Sequence, residues 1–148
     1  YPNGRDTIEF ELLANKGYEF KKIKEAASGG EMSRIMLAIK SIMAKYKKLP
    51  SIIFDEIDTG VSGEISKKMG FIMKDLGEKI QTFSITHLPQ VAAMGESHFK
   101  IYKSDVDGIT KTMISRLNEN DRIIEIAKML EGNNASKSAY THAKQLLN

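Results

Sequence analysis

The sequence predicts an α/β fold: a mainly parallel sheet flanked by helices, followed by a C-terminal β-hairpin and two helices. Short β-branched runs alternate along the chain with helical apolar stripes. That order predicts parallel strands joined by right-handed crossovers. The length of 148 residues and the hydrophobic share of 41% suit one domain with its own core.

Composition excludes several kinds of site. The chain has no cysteine, so disulfides and thiolate metal sites are excluded and a reducing compartment is expected. No apolar run approaches the roughly 18 residues of a membrane-spanning helix, so no membrane partner is expected. The net charge of +3 is too small to predict nucleic-acid binding by itself.

The first third of the chain predicts a strand, a connection and a long helix. Residues 8–12 alternate apolar and acidic side chains, as in a half-buried strand, and Asn15-Lys16-Gly17 is a turn signal. The Lys-rich segment 18–26 is interpreted as a solvated connection. A helix is predicted from Gly30 to about Tyr46. Its apolar stripe consists of Met32, Ile35, Met36, Ile39, Ile42 and Met43.

The middle of the chain predicts two strands with a helix between them. Residues 51–54 are a short apolar run, typical of a strand buried on both faces, and residues 80–85 are interpreted as another buried strand. A helix is predicted from about Ser62 to Leu76, with Gly77 as its stop signal. A short helix, residues 88–94, carries Pro89 in its first turn. The stripe of the longer helix is Ile65, Met69, Ile72, Met73 and Leu76.

The last third predicts a hairpin and two helices. Residues 98–117 contain two strand-like runs around an Asp-Gly turn at residues 105–108. Helices are predicted over residues 119–131 and about 136–147, separated by Gly132-Asn133-Asn134.

Polar residues follow both predicted parallel strands. Asp55 and Glu56 follow the first strand and Thr86-His87 the second, and ligands collect at this edge of such sheets. An acidic pair there suits a nucleotide–Mg²⁺ site, in which Asp55 would orient the metal. Glu56 would align or deprotonate the water that attacks the γ-phosphate, and His87 would detect that phosphate. Alternatively, the carboxylates cap a turn and His87 is structural.

Residues Ser28-Gly29-Gly30-Glu31 precede the long helix. The N–H groups of a first helical turn and the helix dipole bind anions, and two glycines let a phosphate approach closely. Ser28 and Glu31 also have the spacing of a capping box, which satisfies such N–H groups without a ligand. Both interpretations stay open on this stretch alone.

Taken in order, these motifs resemble the second half of an ABC-type ATPase head. Ser28–Glu31 is similar to the signature motif and Ile52–Glu56 to the Walker B strand. Asp58 is similar to the D-loop aspartate and His87 to the switch histidine. Within that class the resemblance narrows to the SMC- and Rad50-like bacterial DNA repair proteins. Three blocks carry it: Ala27–Lys40, Phe54–Gly63 and Ile85–Ala93.

The resemblance implies an enzyme, an ATPase that uses Mg²⁺ and whose heads dimerise with a second copy when ATP is bound. It implies a role in double-strand break repair and recombination, on DNA, in the cytoplasm at the nucleoid. It also implies the roles of the candidate site residues. These are catalytic Glu56 and His87, metal-binding Asp55, and nucleotide-binding Ser28, Gly29, Gly30, Glu31 and Asp58.

Two departures from the family pattern bear on these roles. Ala27 stands where most ABC signatures carry Leu. No Gly-x-x-x-x-Gly-Lys-Ser/Thr run occurs, so the sequence has no P-loop, and no Q-loop can be placed. We therefore expect residues 1–148 to be the C-terminal lobe of a split head, without its P-loop half and coiled-coil arms, and to be inactive alone.

Two other functions remain open from the sequence. One is the nucleotide-binding subunit of an ABC transporter, in which Pro usually follows the acidic pair, whereas Ile57 follows here. The other is a non-catalytic interaction module on the same fold, against which the intact Glu56 and His87 argue. The hairpin lysines either touch DNA phosphates or protect a solvated edge strand. They are Lys100, Lys103 and Lys111.

Overall fold

The computed structural model describes residues 2, 4–13, 17, 19–26, 28–106 and 108–148, with only the backbone of residues 24, 26 and 106. Its N-terminal elements are β1 (Glu11–Leu12), β2 (Lys21–Lys22), α1 (Ile23–Ala26) and α2 (Gly29–Lys47). The middle elements are β3 (Ser51–Asp55), α3 (Gly63–Gly77), β4 (Gln81–Ile85) and α4 (Pro89–Ala92). The C-terminal elements are β5 (Phe99–Val106), β6 (Ile109–Arg116), α5 (Glu119–Glu131) and α6 (Lys137–Leu147).

The strands β3 and β4 form a parallel pair, in register from Ser51 opposite Gln81 to Asp55 opposite Ile85. The intervening helix α3 contributes three buried residues to a core cluster that also contains Phe54 of β3. They are Met69, Met73 and Leu76. The predicted α/β class, the parallel pairing of these two strands and the helix between them are confirmed.

The strands of this pair are buried less completely than the sequence predicts. Phe54 is fully buried, but Ile53 beside it is 60% exposed. Phe83 and Ile85 of β4 are also largely exposed. The prediction of burial on both faces is therefore wrong for this chain, because that state needs a layer on each face of the sheet.

The helix α2 extends over the predicted range, with Ser28 as its N-cap and Lys48 at φ 49° as its C-cap. Its buried residues are Gly30, Leu37 and Ala44 rather than the predicted stripe. Most of the predicted stripe is exposed, since the described elements cover only one side of this helix. The exposed members are Met36, Ile39, Ile42 and Met43.

The N-terminal segment differs most from the prediction. Only Glu11–Leu12 of the predicted strand is extended in a ladder, and it pairs antiparallel with β2 instead of joining the parallel sheet. The segment 18–26, expected to be a solvated connection, contains β2 and α1. Ile8 and Phe10 are exposed rather than half-buried. The predicted turn at Asn15-Lys16-Gly17 falls largely outside the described residues.

The C-terminal third matches its prediction. The strands β5 and β6 pair antiparallel as a hairpin, of which the turn residue Asp107 lies outside the described part. The helices α5 and α6 are capped by Asn118 and Ser136, whose side chains accept backbone N–H bonds. They pack on each other around a second core cluster. Its buried members are Ala93, Ile126, Ala127, Ala139 and Ala143.

Polar contacts connect this second cluster to its neighbours. The Arg122 guanidinium of α5 donates to the carbonyl oxygens of Ala93, Gly95 and Glu96, the one at Gly95 at 2.6 Å. In the hairpin, Lys100 forms an ion pair of 2.5 Å with Glu125 of α5. Among the helices of the described residues, none has the length and apolar character that a membrane span requires.

Candidate functional site

The carboxyl ends of β3 and β4 bring the acidic pair beside the loop that carries His87. Asp55 lies opposite Ile85, and the Glu56 N–H donates to the Ile85 carbonyl oxygen at 2.9 Å. Asp55, Glu56 and His87 all have exposed side chains. The predicted proximity of the two loops is confirmed, and all three side chains are open to a ligand.

The backbone of Glu56 is held in an unusual conformation. Its φ is 44°, in the left-handed region that residues other than glycine rarely adopt. The Glu56 carbonyl oxygen accepts bonds from the Thr59 N–H at 3.1 Å and from Thr59 Oγ1 at 2.8 Å. A strained residue of this kind costs about 1–3 kcal/mol and persists where its surroundings over-determine it. The hydrogen bonds around Glu56 therefore hold the backbone in this conformation at the end of β3.

The side chain of Asp58 lies inside the protein, 1% exposed. Its Oδ2 accepts a hydrogen bond from Thr86 Oγ1, the residue before His87. Thr86 Oγ1 in turn accepts the Leu88 N–H at 2.9 Å. The other carboxylate oxygen, Oδ1, is buried and has no hydrogen-bond partner among the described residues. A nucleotide contact by Asp58 stays a prediction.

The start of α2 forms the capping box that the sequence allows. The Ser28 N–H donates to Glu31 Oε2 at 2.8 Å, and the Glu31 N–H donates to Ser28 Oγ at 3.4 Å. The bond from the Ser28 backbone holds the pKa of Glu31 below its usual value, and the bond with the Ser28 side chain adds to this. Gly29 and Gly30 supply further first-turn N–H groups, which have no acceptor within a helix.

The two glycines have different surroundings. A Cβ on Gly30 would lie 2.5 Å from the Gly60 carbonyl oxygen, whereas a Cβ on Gly29 would meet nothing within 4 Å. Ser33, one turn further on, donates through its hydroxyl to the carbonyl oxygens of Thr59 and Gly29, each at 3.0 Å. Position 30 thus requires glycine for packing against Gly60, whereas Gly29 is exposed.

Residues 56–60 therefore contact both the start of α2 and the loop that carries His87. Thr59 and Gly60 contact the start of α2, while Asp58 contacts the loop before His87. Sequence reasoning assigned no site role to Ser33, Thr59 or Thr86. A hydroxyl three residues after Glu56 or directly before His87 is a signal for a local turn, because Ser and Thr side chains bond nearby backbone groups.

A magnesium ion fits this edge only together with a nucleotide. No group of three His, Asp or Glu side chains within the described ranges is arranged to hold a metal ion. Mg²⁺ in nucleotide sites is held by one or two carboxylates together with phosphates and waters, not by an all-protein cage. The exposed Asp55 carboxylate at the end of β3 is compatible with that donor set.

Similar proteins of known function exist, although no protein-family model matches the chain. The chain is 42% identical over 147 residues to the DNA repair protein RecN of Xylella fastidiosa strain 9a5c, covering 99% of this chain and 26% of that protein. It is 42% identical over 144 residues to RecN of Bacillus subtilis strain 168, covering 97% and 25%. The chain is homologous to the RecN proteins. It spans about a quarter of the length of these relatives.

Solved structures of SMC heads have the same fold. One comes from work on ATP-driven dimerisation and DNA-stimulated activation of SMC ATPases, with 29% identity, a TM-score of 0.54, and coverage of 74% of this chain and 66% of that one. Another is an SMC head bound to the C-winged helix domain of ScpA, with 26% identity, a TM-score of 0.55, and coverage of 75% of this chain and 38% of that one. The predicted likeness to SMC-like DNA repair proteins is confirmed. None of these two relatives and two structures is a transporter subunit.

Proposed function

We propose that this chain is the C-terminal lobe of an SMC-like ATPase head in a RecN-type DNA repair protein. The observation that carries the proposal is the cluster formed by residues 56–60. These residues join the glycine-rich helix start, the acidic pair and the His87 loop in one contiguous unit. Homology to RecN over 99% of the chain supports the same function.

At this site the residues of the chain have separate roles in hydrolysis. Asp55 would hold Mg²⁺ directly or through a bound water, and the bound ion would supply positive charge to the phosphates. Glu56 accepts the proton of the attacking water, or aligns that water, as its oxygen bonds to the γ-phosphorus. His87 donates a hydrogen bond to the γ-phosphate. The bond to the leaving ADP oxygen then breaks.

The motif at the start of α2 serves a second copy of the head. Ser28, the N–H groups of Gly29 and Gly30, and the first turn around Glu31 bind the γ-phosphate of a nucleotide held mainly by the partner. ATP then joins two heads, and hydrolysis separates them. The capping box is compatible with this role, since it uses the N–H groups of Ser28 and Glu31 but not those of the two glycines.

A separate lobe supplies the P-loop that this sequence lacks. Two exposed apolar surfaces support a head that is divided into two lobes. The first is the open face of the β3–β4 pair, with Ile53, Phe83 and Ile85, and the second is the exposed stripe of α2. Contiguous apolar surface of this kind marks an interface in a protein that folds stably. We propose that the P-loop lobe covers the open face of the sheet.

The whole protein acts on DNA in double-strand break repair and recombination, in the cytoplasm at the nucleoid. The hairpin lysines contribute unequally to any DNA contact. Lys100 is engaged by Glu125 at 2.5 Å, which favours a structural role. Lys103 and Lys111 are exposed and are the better candidates for phosphate contacts.

The test of the proposed function is the ATPase rate of the full-length protein and of two glutamate variants. Glu56→Gln removes the proton acceptor and is expected to lower kcat at least about 100-fold, the usual contribution of a general base. Glu78→Gln makes the same change at the exposed C-cap of α3 and serves as the matched control. Equal rates for Glu56→Gln and Glu78→Gln would remove Glu56 from the mechanism.

A further inference from the structure

We propose that Asp58 and Thr86 are positioning residues that set the orientation of His87 relative to Glu56. This inference rests on the proposed ATPase function and assigns a positioning task to Asp58 and Thr86. The contact between them joins the loop after β3 to the loop after β4, 28 residues apart in the sequence.

The segment around His87 is held by hydrogen bonds at the two residues before it and at the residue after it. Ile85 accepts the Glu56 N–H at 2.9 Å. Thr86 donates its hydroxyl to Asp58 and accepts the Leu88 N–H at 2.9 Å. Since the bonds at Ile85 and Thr86 reach the loop of Glu56, the backbone of His87 is fixed relative to the acidic pair.

The hydrogen bond between Thr86 and Asp58 has a defined donor and acceptor. The Thr86 hydroxyl donates to Asp58 Oδ2, so its hydrogen points to the carboxyl group. Its oxygen lone pairs are then free for the Leu88 N–H, as observed. A valine at position 86 has the shape of threonine but can do neither, and it would leave the carboxylate of Asp58 buried without this donor.

Burial separates the roles of Asp58 and the exposed site residues. Asp58 is 1% exposed, whereas the side chains of Asp55, Glu56 and His87 are all exposed at the strand ends. A buried carboxylate whose observed partner is Thr86 acts on the reaction through Thr86 and the loop that follows. Its loss is therefore expected to lower the chemical rate more than the affinity for ATP.

The experiment measures kcat and KM for ATP in the full-length protein and in Thr86→Val, Thr86→Ser, His87→Ala and the double variant Thr86→Val/His87→Ala. Thr82→Val is the matched control, since Thr82 lies on β4, the strand that Thr86 follows, and its hydroxyl donates to the nearby Ile80 carbonyl oxygen. We expect Thr86→Val to lower kcat about tenfold or more with KM changed less than about twofold. Thr86→Ser keeps the hydroxyl and is expected to restore kcat.

The double variant distinguishes positioning from a general loss of structure. If Thr86 acts through His87, removing its hydroxyl in the His87→Ala background costs nothing further, whereas a merely structural defect would add to the loss. Thr86→Ala provides a second test should the valine variant fail to fold.

The outcomes are distinct. A wild-type protein without ATPase activity would overturn the proposed function and this inference with it. An active wild-type protein in which Thr86→Val keeps full kcat, or in which the two losses multiply, would overturn this inference alone.

Discussion

Gly30 and Gly60 meet backbone to backbone. A Cβ on Gly30 would lie 2.5 Å from the Gly60 carbonyl oxygen, closer than real Cβ contacts. Gly60 itself has a φ of 78°, which suits glycine. The first turn of α2 and the loop after the acidic pair are therefore in direct contact.

Gly30→Ala is expected to destabilise the chain by about 1–3 kcal/mol, because the added methyl group meets backbone that can move only with its whole loop. Gly29→Ala is the matched control. A Cβ at position 29 meets nothing within 4 Å, so its stability is expected to be unchanged or slightly higher. Urea unfolding of both variants measures the difference. Equal stability of the two variants would contradict the packing role of Gly30.

The purified 148-residue chain is expected neither to bind ATP tightly nor to hydrolyse it, because its sequence contains no P-loop. Phosphate release and equilibrium dialysis with labelled ATP and Mg²⁺ measure the two properties. The full-length protein is the positive control. Magnesium-dependent ATP hydrolysis by the 148-residue chain, abolished by Glu56→Gln, would contradict this prediction, because it would show that the chain contains a complete ATPase site.

Acid is expected to destabilise the chain through His98. Burial lowers the pKa of His98 first, followed by Arg122, and Lys100 acts in the same direction while Glu125 opposes it. A histidine with a lowered folded-state pKa favours the unfolded state once the unfolded chain protonates near about pH 6.5. Its contribution is therefore complete above that pH and is lost as the pH falls through the lowered pKa.

The check is the change in unfolding free energy between about pH 7.5 and pH 5.5. His98→Gln cannot titrate and should lose less stability over that interval than the wild-type chain. Lowered pKa values of Glu31 and Glu131 act at more acidic pH, since their stabilisation is present above their usual pKa and is lost below it. The same loss in His98→Gln and wild type would mean that another group is responsible.

Much of the fold could be predicted because its signals are local. The range of α2 follows from a capping residue and a continuous helical period, and the hairpin follows from alternation around an Asp-Gly turn. The proximity of Glu56 and His87 follows from one topological rule, that parallel strands end at the same edge.

The rest depends on what covers a surface or on contacts between distant residues. The spacing of apolar residues in α2 predicts a stripe that contains Ile39 and Ile42. It cannot show whether a neighbouring element buries that stripe, and in the described residues none does. The bond between Asp58 and Thr86 joins residues 28 apart and has no local signal. The left-handed backbone of Glu56 accompanies its bonds to Thr59 and Ile85, and no residue preference predicts it.

The most direct test of the central claim is the oligomeric state of full-length Glu56→Gln with ATP and Mg²⁺, measured by sedimentation velocity. If Glu56 promotes hydrolysis in a site closed by a second head, the variant should accumulate as an ATP-bound head dimer, while the wild type cycles back to the separated state. Adding Ser28→Arg, which places a bulky side chain at the start of α2, should abolish that dimer. A Glu56→Gln protein that keeps its heads apart in saturating ATP, or hydrolyses ATP at the wild-type rate, would contradict the account.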